Sequence, residues 1–222
     1  MARTRIKFCG ITRSEDLASA VQAGADAVGL VFHAPSPRAV SLEQARELLG
    51  CKPAWVSVVG LFVDADAERV RSVVNALKLD CLQFHGGETR EYCAQFGVPW
   101  MKALPVAPGS NIGALAGQYE GASALLLDTW KAGVAGGTGE VFDWRLVPGT
   151  LPAPLVLAGG LDADNVEAAI RSVRPYAVDV SGGIESSPGK KCFKRMQAFA
   201  SAVRATDAAL ENEAEQQMAA TR

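Results

Sequence analysis

The chain has 222 residues, 49% of them hydrophobic, and can bury roughly 70% of the surface that its unfolded form would expose. Its 22 basic and 24 acidic residues give a net charge of −2, with no long block of one sign, which argues against a nucleic-acid or membrane surface. The N-terminal apolar run is much shorter than a signal peptide core or a membrane span, so we expect a cytoplasmic protein.

The cysteines indicate neither a disulfide framework nor a zinc site. They are odd in number, widely spaced and contain no C-x-x-C pair. Each is therefore interpreted as a small buried hydrophobic residue or as a reactive thiol. The five are Cys9, Cys51, Cys81, Cys93 and Cys192.

Short runs rich in Val, Leu and Ile alternate with helix-period stretches along the chain, a pattern typical of a parallel sheet covered by helices. The predicted strands are Ile6–Cys9, Ala27–Phe32, Trp55–Val63, Leu79–Phe84, Trp100–Leu104, Ala124–Asp128, Leu155–Ala158 and Ala177–Val180. The predicted helices are Asp16–Ala23, Ser41–Leu49, Asp64–Leu77, Glu88–Phe96, Ile112–Tyr119, Asp143–Leu146, Asp164–Val173 and Lys191–Arg204. Thr12 and Glu15 have the spacing of a capping box before the first helix.

Eight strand-helix pairs without a linker predict a single α/β domain, a (βα)8 TIM barrel with a closed, parallel eight-stranded sheet and outer helices. We assign residues 1–205 to this barrel. Residues 206–222 are rich in Ala, Glu and Gln with little apolar periodicity, and are predicted to be a C-terminal tail outside the barrel, either a frayed helix or disordered.

Polar residues at the carboxyl ends of barrel strands face the active site. Glycines follow strands seven and eight, where barrels of this class bind phosphate through exposed backbone N–H groups and a short helix, although glycines also occur in tight turns without a ligand. The predicted phosphate-binding residues are Gly159, Gly160, Ser181, Gly182 and Gly183, and residues 185–189 could contain the start of the short helix.

Asp128 ends an otherwise apolar strand and precedes a glycine-rich segment with the composition of a lid, which includes Gly136, Gly137 and Gly139. A carboxyl group beneath a closing lid suits general acid or base work, because exclusion of water would raise its pKa. The alternative is that Asp128 only caps its own turn.

Cys9 also ends a strand, and the two-residue period places Lys7 on the same inward face. A nearby ammonium group would favour the thiolate, but these residues alone leave a structural role for Cys9 open. His33 and His85 are equally ambiguous, and two histidines on separate strands without H-x-x-x-H spacing predict no metal site.

Several segments together resemble the phosphoribosylanthranilate isomerase family of tryptophan biosynthesis, in order over about residues 4 to 200. They are Lys7-Phe8-Cys9-Gly10-Ile11-Thr12, Gln83-Phe84-His85-Gly86, Leu127-Asp128-Thr129, Gly136-Gly137-Thr138-Gly139, Phe142-Asp143-Trp144, Leu157-Ala158-Gly159-Gly160-Leu161, Val178-Asp179-Val180-Ser181 and Pro188-Gly189-Lys190-Lys191.

The resemblance implies an Amadori rearrangement of N-(5-phosphoribosyl)anthranilate to the 1-deoxyribulose 5-phosphate, without metal or organic cofactor. It implies that Asp128 is the general acid and Cys9 the general base. Arg38 would bind the anthranilate carboxylate, for which a planar guanidinium is a good partner. His85 and Asp179 would line the substrate site. Where the family usually has serine, this chain has Gly182, so one hydroxyl contact to phosphate is missing.

Two alternative functions remain open. The related isomerase of histidine biosynthesis would use two aspartates, and Cys9 argues against it. A non-catalytic barrel that binds a phosphorylated metabolite or a partner enzyme would not need Cys9 and Asp128 together. The expected partner is therefore a small phosphorylated substrate, and the chain is expected to be a monomer or a homodimer.

Overall fold

The eight parallel strands form one closed ring. In the computed structural model, which describes residues 3–50, 52–129 and 141–220, each strand pairs with the next along the chain, and the eighth pairs with the first. The strands are β1 (Arg5–Cys9), β2 (Ala27–Val31), β3 (Ser57–Phe62), β4 (Cys81–Phe84), β5 (Trp100–Val106), β6 (Ala124–Thr129), β7 (Leu155–Leu157) and β8 (Ala177–Val180). The predicted TIM barrel is confirmed.

Helices cover the outside of this ring. They are α1 (Ser14–Ala23), α2 (Leu42–Gly50), α3 (Ala67–Ala76), α4 (Arg90–Ala94), α5 (Ile112–Gly117), α6 (Val166–Val173) and α7 (Phe193–Ala220). Short 3-10 helices span Trp144–Leu146 and Gly182–Ile184, and β9 (Glu185–Ser187) pairs antiparallel with β10 (Lys190–Lys191).

Alternation along the strands separates two packed layers. Outward side chains such as Phe8, Phe62 and Phe84 are fully buried between the barrel and the helices. The interior of the barrel is filled by a smaller cluster that includes Met101, Leu126 and several alanines. Because successive side chains of a strand point to opposite faces, Lys7 and Cys9 lie inside while Phe8 lies outside.

Two local predictions were wrong at the ends of elements, the cap of α1 and the length of the third strand. The cap of α1 is Arg13, which makes no side-chain capping bond, and the Thr12 hydroxyl instead donates to the carbonyl oxygen of Gly189 at 2.6 Å. The third strand is shorter than predicted because Trp55 and Asp64 both adopt left-handed backbone angles (φ 72° and 46°), which do not fit a strand.

The segment 185–189 also differs from its prediction. It forms β9 and the turn to β10, and the short 3-10 helix lies earlier, at Gly182–Ile184. The backbone groups of β9 pair with those of Lys190–Lys191 in an antiparallel ladder, whereas the first N–H groups of a helix would have no backbone partner.

The last helix continues past its predicted end near Arg204, to Ala220. Thr206 and Leu210 are buried, and the Asp207 carboxylate accepts hydrogen bonds from the backbone N–H and the hydroxyl of Thr4, both at 2.7 Å. The segment predicted to be either a frayed helix or disordered is helical up to Ala220, and its first turn contacts Thr4 just before β1. The predicted lid residues Gly136, Gly137 and Gly139 lie outside the described residues.

Candidate active site

A cavity opens at the carboxyl ends of the strands in two adjoining parts that share Asp128, Asp179 and Ser181. The first part, the central pocket, has a volume of about 80 Å³. It brings together all the residues predicted to act in catalysis or to bind the non-phosphate part of the substrate, namely Cys9, Arg38, His85, Asp128 and Asp179. The second, the glycine pocket, has a volume of about 320 Å³ and is lined by the predicted phosphate-binding residues Gly159, Gly160, Ser181, Gly182 and Gly183.

Cys9, at the end of β1, is only 5% exposed. It lies opposite Gly29 of β2, and a Cβ atom at Gly29 would be 2.7 Å from the Cys9 sulfur, so glycine at this position makes room for the thiol. Burial raises the pKa of Cys9, and Asp179 adds to the rise, whereas the ammonium group of Lys7 lowers this pKa. Lys7 acts in the direction predicted from the sequence, but burial outweighs it.

Asp128 and His85 are in direct contact. The Nε2 atom of His85 lies 3.2 Å from Oδ2 of Asp128, while Oδ1 of Asp128 accepts the backbone N–H of Thr129 at 2.8 Å. The other ring nitrogen of His85, Nδ1, lies 3.1 Å from the side-chain nitrogen of Gln83. With the amide donating to Nδ1, the proton of the neutral imidazole is on Nε2 and is directed at Asp128.

Asp179 forms a buried ion pair with Lys7, with 2.8 Å between Oδ1 and Nζ. The two residues are register partners in the β1–β8 pair, so their side chains meet inside the barrel. Burial lowers the pKa of Lys7, but the charges of Asp179 and Cys9 outweigh this effect, and the pKa of Lys7 lies above its usual value.

Arg38 is held by Glu185, whose two carboxylate oxygens accept from Nε and Nη2 of the guanidinium, each at 2.8 Å. Lys191 donates to the same carboxylate at 2.8 Å. Burial raises the pKa of Glu185, but these two cations outweigh it and hold this pKa below its usual value. The bidentate pair fixes the plane of the guanidinium at the wall of the central pocket and leaves Nη1 outside the pair.

The glycine pocket has backbone donors available. Gly159 and Gly160 have positive φ angles of 85° and 64°, and no described residue accepts their backbone N–H groups. A Cβ atom at Gly159 would lie 2.7 Å from the backbone nitrogen of Thr129, so a larger residue does not fit. The Ser181 hydroxyl, in contrast, donates to the carbonyl oxygen of Cys9 at 3.0 Å.

Three residues of the site were not found from the sequence. Gln83 precedes His85 by two positions, and the two-residue period of the strand could have placed both on the inner face. Glu185 and Lys191 carry no such signal, because they approach Arg38 only through the β9–β10 turn.

In the described ranges, no group of three or more His, Cys, Asp or Glu side chains could hold a metal ion. No helix of these ranges is long and apolar enough to cross a membrane.

Comparison with known proteins places this chain in a family. The family model for N-(5'-phosphoribosyl)anthranilate (PRA) isomerase matches residues 6–202. A protein of Stutzerimonas stutzeri named N-(5'-phosphoribosyl)anthranilate isomerase is 54% identical over 204 residues, which cover 92% of this chain and 99% of that protein. A relative of the same name from Pseudomonas aeruginosa is also 54% identical, over 92% of this chain and 97% of its own length.

Solved structures agree. The structure of phosphoribosyl anthranilate isomerase from Thermotoga maritima has a TM-score of 0.83 and 38% identity, covering 91% of this chain and 99% of that one. A structure of the enzyme in complex with reduced 1-(o-carboxyphenylamino)-1-deoxyribulose 5-phosphate has a TM-score of 0.78 and 35% identity, with the same coverage. The chain therefore belongs to the N-(5'-phosphoribosyl)anthranilate isomerase family.

Proposed function

We propose that this protein is an isomerase of tryptophan biosynthesis that converts N-(5-phosphoribosyl)anthranilate to 1-(2-carboxyphenylamino)-1-deoxyribulose 5-phosphate. The observation that carries the proposal is the arrangement of Cys9 and Asp128. They reach one pocket from β1 and β6, which are three positions apart around the ring. An acid and a base on separate walls can act on two sides of one sugar.

The reaction then divides between these two groups. Asp128, as general acid, protonates the furanose ring oxygen, and the ring opens to a Schiff base between C1 and the anthranilate nitrogen. Cys9, as general base, removes the proton from C2, which leaves an enolamine that tautomerises to the ketone. The sequence of proton transfers requires no oxidant or reductant, because C1 is reduced as C2 is oxidised within one molecule.

The surrounding residues hold the substrate in this proposal. Arg38, fixed in orientation by Glu185, binds the anthranilate carboxylate. The glycine pocket binds the phosphate through the backbone N–H groups of Gly159 and Gly160 with help from residues 181–183, and lies beside Asp128 and Asp179. Asp179 and His85 line the space between, where the sugar would lie.

The test follows the fluorescence of phosphoribosylanthranilate generated in place from anthranilate. We expect decay with the parent protein and a loss of at least ~100-fold in Cys9→Ser and in Asp128→Asn, the usual scale for a general acid or base. Cys192→Ser is the matched control, because this half-buried thiol does not line the pocket, and it should retain parental activity.

The other outcomes are equally informative. If the parent does not consume the substrate, the function is wrong, and a phosphate-binding barrel or the histidine-pathway reaction becomes the better hypothesis. If Cys9→Ser retains full activity, another residue is the base. Cytoplasmic localisation, the absence of a nucleic-acid partner, and a monomeric or homodimeric state remain predictions of the same proposal.

A further inference from the structure

Lys7 is a buried cation that the proposed reaction does not use. Its side chain is 4% exposed, points into the barrel, and has the carboxylate of Asp179 as its ion-pair partner. Burial of an ammonium group is costly unless it is paired with an opposite charge, and here Asp179 provides that charge. Its two-residue spacing from Cys9 predicts from the sequence that its ammonium group favours the thiolate.

Lys7 and Cys9 converge on the same backbone position. A Cβ atom at Gly29 would be 2.7 Å from the sulfur of Cys9 and 3.2 Å from Nζ of Lys7. Both side chains therefore occupy the space above one glycine, and the same ammonium group contacts the carboxylate of Asp179. The β1–β8 register fixes the far side of this arrangement, since Lys7 is the register partner of Asp179.

From this geometry we propose that Lys7 is a positioning residue for the isomerase reaction, held by Asp179 so that its ammonium group stabilises the thiolate of Cys9. Asp179 thereby acts in two ways: one oxygen holds Lys7, while the residue also lines the substrate pocket. The inference rests on the proposed function for its meaning in catalysis. The ionisation of Cys9 itself is independent of any substrate.

The other charged groups around Cys9 do not replace Lys7. Lys191 also lowers the pKa of Cys9, but its ammonium group is hydrogen-bonded to Glu185 and Ser181. The guanidinium of Arg38 is held by the same Glu185. His33, His85 and Asp128 complete the titratable lining of the pocket, and His85 and Asp128 contact each other. Lys7 is the cation that shares the position above Gly29 with the sulfur.

The experiment measures the ionisation of Cys9 by the ultraviolet absorbance of its thiolate. Each protein is titrated with pH and compared with the same protein carrying Cys9→Ser, so the other cysteines cancel. Replacing Lys7 alone would leave Asp179 buried without a partner, which itself disturbs the thiol. The informative pair is therefore Asp179→Asn against the double variant Lys7→Met with Asp179→Asn, where a neutral pair replaces the ion pair.

We expect the midpoint for Cys9 to lie at least about one pH unit higher in the double variant than in Asp179→Asn, a tenfold change in the thiolate equilibrium. The acid limb of the pH profile of kcat/KM should move in the same direction. The double variant Lys102→Met with Glu88→Gln is the control, since it replaces another buried lysine–carboxylate pair by a neutral pair, and it should leave the Cys9 midpoint unchanged.

The proposal would be overturned if the Cys9 midpoint were the same in Asp179→Asn and in the double variant Lys7→Met with Asp179→Asn. Lys7 would then be only a structural partner of Asp179. A shift of similar size in the control with Lys102→Met and Glu88→Gln would also overturn it, because the shift would then follow the loss of any buried ion pair. If the parent fails to consume phosphoribosylanthranilate, the proposed function fails, but the thiol titration still decides whether Lys7 controls Cys9.

Discussion

The Nε2 atom of His85 lies 3.2 Å from Oδ2 of Asp128, so the carboxyl group proposed as general acid is oriented by an imidazole from a strand two positions away in the ring. If the two act as one unit, their losses should not add. We expect His85→Ala to lower kcat about tenfold, as for a lost hydrogen bond to a charged group. The double variant His85→Ala with Asp128→Asn should be no less active than Asp128→Asn alone, and additive losses in steady-state kinetics would contradict this coupling.

Gly159 is expected to tolerate no side chain. In Gly159→Ala the new Cβ atom would lie 2.7 Å from the backbone nitrogen of Thr129. The alanine would also have to keep the left-handed φ of 85° that Gly159 has. We predict a rise in KM of about tenfold or more together with a loss of stability of about 1–3 kcal/mol. Gly117→Ala is the control, because Gly117 ends α5 and a Cβ there meets no atom within 4 Å. Steady-state kinetics and urea unfolding should separate the two variants, and equal behaviour would show that the tight fit at Gly159 is unimportant.

Lys102 and Glu88 form an almost fully buried ion pair at 3.2 Å. The pair lies next to the backbone on both sides of His85. The same ammonium donates to the carbonyl oxygen of Phe84, and the Glu88 carboxylate accepts from the backbone of Gly86. Lys102→Met should cost about 3–5 kcal/mol of unfolding free energy, because it leaves a buried carboxylate uncompensated.

The comparison for this buried pair is the exposed pair Arg171–Glu167 on α6, whose arginine also pairs with Glu213 of α7. Glu167→Gln removes only this pair and should change the free energy of unfolding by less than about 1 kcal/mol, as is usual for surface ion pairs. Both variants are measured by urea denaturation. Similar costs in the two would indicate that burial does not decide the strength of these pairs.

The C-terminal half of α7 should contribute to stability up to Leu210. Leu210 is 4% exposed, and Leu210→Ala is expected to cost about 2–5 kcal/mol through lost burial and the cavity that remains. Met218, on the same helix, is 65% exposed, so Met218→Ala should be neutral within about 0.5 kcal/mol. Thermal and urea unfolding provide the values. A neutral Leu210→Ala would support the prediction that residues 206–222 are a tail outside the barrel.

Glu185 should make the protein sensitive to acid. Its folded pKa lies below the ordinary 4.5, so its ionised form stabilises the fold above pH 4.5, and this contribution is lost as the pH falls through the lower, folded value. We expect Glu185→Gln to be less stable than the parent at neutral pH, with a smaller further loss as the pH falls below 4.5. Urea unfolding across this range is the measurement, and parallel curves for the two proteins would show that Glu185 does not contribute.

The amino-acid sequence by itself determined the barrel and most of the residues at its mouth. Alternating apolar strands and helices without a linker permit few arrangements other than a closed parallel ring. In such a ring all strand carboxyl ends meet at one face. The polar residues at those ends in the sequence include Cys9, His85, Asp128 and Asp179, so they could be grouped without knowing the distances between their side chains. The glycines after β7 and β8 followed from the same rule.

The tertiary structure decided which of these side chains hold one another. Lys7 and Asp179 are 172 positions apart and pair only because β1 and β8 close the ring in one register. Arg38 and Glu185 are 147 positions apart and meet through a turn whose pairing the local pattern did not reveal. The extent of α7 was likewise fixed by contacts of Asp207 with Thr4, because a helix of low periodicity is stabilised by packing rather than by its own sequence.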